Sequence, residues 1–168
     1  MTLLQHSRGT VTDIQLTELS SVGHDARPKV PSPPVLAAEV LVVGVDDWAI
    51  GEVAAQLVAA GRRVHRCADS VEAPFPCNAL VPGRGCPLDK YPVDAVLDVH
   101  SRPRERLPFS EMGAICGLRS GLPLVMGGIS DGSVLTEWAE QVPPGGDIVS
   151  TCDAAVAKAT RRAAQETA

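Results

Sequence analysis

From residue 40 onward the chain switches between segments that are apolar throughout and segments that are apolar along one side only. VLVVGV, residues 40–45, carries no charge, as expected of a strand covered on both faces. Next, Ile50, Val53, Ala54, Leu57 and Val58 recur at i, i+3, i+4, i+7 and i+8, the stripe of an amphipathic helix. Asp46 or Asp47 can cap its start, and Gly61 is placed to end it at the C′ position. Residues 63–67 then read as a second strand. After an interruption come a strand over 93–99, a helix over 110–120 capped by Ser110, and a strand over 121–126. A helix over 133–142, with Val134, Leu135, Trp138 and Ala139 inward, leads to a fifth strand at 147–150 and a closing Ala-rich helix over 153–165. Strands alternating with helices imply a doubly wound α/β fold, of Rossmann or flavodoxin-like type: a three-layer sandwich with about five parallel strands.

Two stretches depart from this rhythm. Residues 1–36 show no sustained period and end in RPKVPSPPVL, where four prolines deny both helix and sheet donors. They are expected to form a flexible arm ahead of a domain spanning 37–168. Residues 70–92 place Pro74, Pro76, Pro82, Pro87, Pro92, Gly83 and Gly85 where a crossover helix belongs. The expectation there is a loop insert holding Cys77 and Cys86, and loops of that length within a domain are often functional.

Composition narrows the classes. At 168 residues the chain is long enough to bury a core, and with aromatics at 3% that core is built from Val, Leu, Ile and Ala. A net charge of -5 argues against nucleic-acid partners, and Arg102, Arg104 and Arg106 read as a solvated loop. No window approaches the apolar length of a membrane span, and no leader is evident, so a cytoplasmic protein without membrane insertion is expected. In that compartment thiols stay reduced, and five cysteines are then not a disulfide framework.

In open α/β sheets ligands bind beyond the carboxyl ends of the strands. Here that edge offers Gly44, Asp46, Asp47, Asp69, Asp98, His100 and the GGISDGS loop beginning at Gly127 and Gly128. The segment VLVVGVDDWAIGEVAAQLVAAGRRV looks like the opening of Rossmann dehydrogenases and epimerases. VDAVLDVHSRP and RSGLPLVMGGISDGSVL are similar to later strands of dihydrodipicolinate-reductase-type cofactor domains. That resemblance implies NAD(P), with Asp69 on the ribose. A second resemblance, carried by VLVVGVDDWAI, ADSVEA and Asp98, is to response-regulator receivers. It implies Mg²⁺ on Asp46 and Asp47 and a phosphoacceptor at Asp98.

The departures from both patterns weigh on function. The dinucleotide fingerprint needs a glycine where this chain has VDDWAI between Gly44 and Gly51. A carboxylate about 5 Å from a phosphate costs roughly 3 kcal/mol at an effective dielectric near 20, about two decades of affinity. The receiver pattern lacks its hydroxyl, replaced by Gly127 and Gly128, and its lysine, absent from DIVSTCDAA.

The cysteines add another candidate. Cys77 and Cys86 are separated by eight residues, wider than the usual zinc pair. With Cys67 at the end of the second strand and Cys116 on the following helix, they could hold zinc or an iron–sulfur cluster. Cys152 is expected to stand apart from them. No substrate domain is left over in the chain, so the leading expectation is a non-catalytic binding or regulatory domain. It would act through a protein partner or a small ligand at the carboxyl edge. A metal or iron–sulfur protein using the insert, and an NAD(P)-binding oxidoreductase-like domain, are the alternatives.

Overall fold

A computed structural model describes residues 37–70, 77–101, 112–128 and 133–168, all within one compact unit, Pro34–Ala168. The expected N-terminal arm, the cap at Ser110, the arginines at 102, 104 and 106, and most of the GGISDGS loop lie outside the described residues.

Five strands form one parallel sheet in the order β2-β1-β3-β4-β5. They are β1 (Glu39–Gly44), β2 (Arg63–Arg66), β3 (Ala95–His100), β4 (Leu124–Gly128) and β5 (Ala139–Gln141). This is the strand order of flavodoxin-like doubly wound sheets, with the direction of winding reversing between β1 and β3. Among the described residues the helices are α1 (Asp47–Ala59), α2 (Pro87–Lys90), α3 (Met112–Arg119) and α4 (Ile148–Glu166).

Strand alternation sorts the core into two layers. Val40, Val42, Leu97, Val99 and Val125 face Ile50, Val53 and Leu57 of α1 and Cys152 and Ala155 of α4. On the other side Leu41, Val43, Val96, Leu124 and Met126 pack with Cys67, Leu135 and Ala114 of α3. The sheet is therefore covered on both faces, which is why its central strands are apolar apart from buried Glu39, Asp98 and His100.

Helix α1 begins and ends as its sequence signals. Asp46 accepts hydrogen bonds from the Trp48 and Ala49 amides, and Ala60 is the C-cap. Gly61 at C′ has φ +78°, with its N–H on the Val58 carbonyl and that of Arg62 on the Leu57 carbonyl. This is a complete Schellman closure. The buried stripe is narrower than the sequence spacing implies, since Val58 is 59% exposed.

Helix α3 lies unusually close to the sheet because two glycines face it. A Cβ on Gly113 would stand 2.5 Å from Val43 Cγ1, and one on Gly117 would stand 2.2 Å from Val96 Cγ2. Between β2 and β3, where the rhythm fails in the sequence, the described chain forms a 3-10 turn (Asn78–Leu80) and the single-turn α2.

Three expectations are corrected. Residues 133–142 form no α-helix: a 3-10 turn (Thr136–Trp138) runs directly into β5. Only Leu135 of the expected inward face is buried, and Val134 and Trp138 are 62% and 64% exposed. Residues 147–150, expected as the fifth strand, are instead the N-cap and first turn of α4, where Asp147 accepts from the Val149 and Ser150 amides. Finally, β4 starts at Leu124 and continues through Gly127 and Gly128, so those glycines belong to the strand rather than to the loop after it.

Candidate functional site

The crevice between the carboxyl ends of β1 and β3 is the place this architecture reserves for a ligand. Its floor is tight: a Cβ on Gly44 would stand 2.5 Å from the Val99 carbonyl oxygen, and one on Gly128 would stand 1.9 Å from that of His100. Gly127 faces the other layer, against Ile148 of α4.

Across the mouth the chain fills the space with its own groups. Asp46 Oδ1 occupies the N-terminus of α1, 2.9 Å from the Trp48 amide and 3.2 Å from that of Ala49. Its Oδ2 accepts a 3.2 Å hydrogen bond from Ser101 Oγ, joining the β1 turn to the end of β3. Asp47 ion-pairs with Arg66 and accepts from Ser70 Oγ at 2.6 Å, tying α1 to the end of β2. Asp69 lies farther out, paired with Arg84 of the insert.

Asp98 does not line the mouth. Strand alternation and register set it between Val43 and Met126, on the face covered by α3, where it is fully buried. Its Oδ2 is 3.0 Å from Nε2 of the buried His100, while Oδ1 has no hydrogen-bond partner among the described residues. The pairing follows from the period-two geometry of a strand, which turns residues two apart to one side.

The thiols form the second group, all unpaired in disulfides. Cys67 follows β2 and is buried under the first turn of α3: a Cβ on Gly113 would stand 2.7 Å from its Sγ. Its carbonyl accepts from the Asn78 amide at 2.5 Å, which brings Cys77 alongside. Cys77 Sγ in turn accepts from the Ala79 amide at 3.4 Å. Cys86 is the N-cap of α2, and Cys116 stands one turn after Gly113 on α3, exposed.

Electrostatics couple Cys67 to the other thiols of this group. The Cys67 thiol is pushed up to about 12, first by burial and then by the neighbouring thiols of Cys77, Cys86 and Cys116. Cys116 is also raised, by burial and by Cys77 and Cys86, with Arg119 acting the other way. Cys152, pushed up to about 12 by burial and by Asp153 and Asp147, belongs to the opposite layer and has no part in this group. As the side chains stand, no three His, Cys, Asp or Glu groups among the described residues are gathered tightly enough to hold a metal ion.

Several structural partners have only a faint sequence signal. Glu39 opens β1 as a buried carboxylate, ion-paired with Arg63 and 2.7 Å from His65 Nε2. The His65 ring stacks on Tyr91 with centroids 4.0 Å apart, clamping the end of the insert onto β2. A charged residue opening an apolar run was the only hint of Glu39.

Fold and site together define a doubly wound α/β domain of flavodoxin-like strand order, in which the described residues between β2 and β3 form a 3-10 turn and the single-turn α2. Compared with known proteins, the chain matches no family model, no curated protein and no solved structure. No helix among the described residues is long and apolar enough to cross a membrane.

Proposed function

We propose that this is a non-catalytic binding domain whose ligand is a soft metal centre, zinc or an iron–sulfur cluster, held by Cys67, Cys77, Cys86 and Cys116. The observation that carries it is that Cys77 is drawn alongside buried Cys67, with the thiols of Cys86 and Cys116, from other chain segments, near enough to act on it electrostatically. Thiolates select such metals by softness, and each must lose its proton to ligate. Burial holds Cys67 protonated, so a metal must displace that proton, and side-chain rotation must bring the sulfurs onto one ion. Two of the sulfurs, those of Cys77 and Cys86, sit on the insert. Within this reading the domain serves its partner as a regulatory or structural module, loaded or unloaded by metal.

The nucleotide readings have less support. Asp46 already satisfies the amides a pyrophosphate would use, and the Asp46–Ser101 bond spans the crevice. For the Mg²⁺-dependent receiver reading, Asp98 is buried beside His100, apart from the cap formed by Asp46.

Metal analysis and absorption spectra of protein purified without oxygen test the proposal. The expected result is one zinc per chain or a visible sulfur-to-iron absorption, lost in Cys77→Ser and Cys86→Ser and kept in Cys152→Ser. Protein that stays metal-free when offered zinc or iron and sulfide would overturn it.

A further inference from the structure

We propose that the open cleft between β2 and residues 78–91, about 280 Å³ in volume, binds a small oxyanion of the phosphate or carboxylate class. It uses none of the four thiols, so it stands or falls apart from the metal reading. Three cationic side chains line the cleft, Arg66, Arg84 and Lys90, against a single carboxylate, Asp69. With Asp47, which pairs with Arg66 from beside the lining, three positive charges stand against two negative, a local excess of one positive charge in a chain whose net charge is -5.

The cations are positioned rather than loose. Arg66 is anchored by Asp47 and Arg84 by Asp69, and a guanidinium with five donors keeps N–H groups to spare after one such pair. Arg84 also reaches the Asn78 side-chain oxygen at 3.5 Å, which turns that amide's NH₂ toward another acceptor. Lys90 makes no ion pair among the described residues. Its stem is laid over Gly85, where a Cβ would stand 2.8 Å from Lys90 Cε. The stacked rings of His65 and Tyr91 wall one side, and the His65–Glu39 contact directs that ring's polar edge away to β1. An acceptor-only guest of phosphate size meets donors on several sides here, whereas the one carboxylate in the lining, Asp69, is already paired.

Titrating the full chain with inorganic phosphate, followed by amide chemical shifts, tests the site. Sodium chloride at matched ionic strength is the reference, and acetate is a parallel arm that separates carboxylate from phosphate as the preferred guest. Saturable shifts confined to residues 64–69 and 78–91 are expected. Lys90→Gln should weaken binding at least about fivefold, the loss of one charge-assisted contact at a half-open site. Gly85→Ala, which displaces the same ammonium, should act likewise, and Lys158→Gln on α4 should change nothing. Shifts that chloride reproduces for both anions, or binding indifferent to Lys90→Gln, would overturn the proposal.

Discussion

Asp46 meets at the first turn a demand that a phosphate meets in nucleotide-binding domains of this architecture. The N-terminus of α1 presents unsatisfied amides and a partial positive charge, and the Asp46 carboxylate takes two of those amides and the Ser101 hydroxyl. Asp46→Ala should therefore cost about 1–2 kcal/mol in urea unfolding, with Asp46→Asn recovering most of it. An unchanged midpoint for the alanine variant would contradict the capping role. The doublet was legible as a cap because Asp before an amphipathic stripe is a local signal. Which way Asp98 points was not, because a strand residue faces one layer or the other according to register with its neighbours. Its pairing with Val43 and Met126 turns it under α3, beside His100, rather than toward the mouth.

Among the elements, α1 and the central strands follow their sequence periods closely, and the departures gather at the sheet's far edge. Val134, Leu135, Trp138 and Ala139 have helical spacing, yet the segment makes a 3-10 turn and a three-residue strand. β5 carries no β-branched residue; it is a strand because β4 offers it a ladder, from Leu124↔Ala139 to Met126↔Gln141. Conversely, Ile148 and Val149 look like strand, but Asp147 caps them into α4. Helix α3 shows the cost of missing a close approach. Two glycines four apart in a short helix were the available signal, and both abut valines of the sheet. Gly113→Ala should destabilise by about 1–3 kcal/mol as α3 lifts. Gly51→Ala, at an exposed position of α1 with nothing within 4 Å of the added Cβ, should stabilise by about 0.5–1 kcal/mol. Denaturant midpoints moving in opposite directions for these two variants would confirm the contrast.

At the scale of the whole molecule, the two layers place one buried thiol each under the sheet's helices, Cys67 on one side and Cys152 on the other. Both are pushed up from 9.0 to about 12, chiefly by burial, so the folded metal-free protein holds protons that the unfolded chain releases. Their contribution is complete below about pH 9 and is lost as pH rises toward about 12. Unfolding free energy of the metal-free protein should accordingly fall across that window, by about 1 kcal/mol per group for each pH unit. Cys152→Ala should make the slope shallower, and a flat profile in the parent would show the thiols not to be buried as described.

The alternation of apolar strands with amphipathic helices, the Asp46 cap and the Gly61 stop are consequences of neighbours along the chain, and the sequence alone determined them together with the parallel, two-sided α/β class. Tertiary structure decided the rest. The edge strand at Ala139–Gln141, the inward turn of Asp98, the seat of α3 on its glycines and the approach of Cys77 to Cys67 depend on groups distant in sequence. A hydrophobic period records only whether a residue faces inward; what it meets there is set when the layers close.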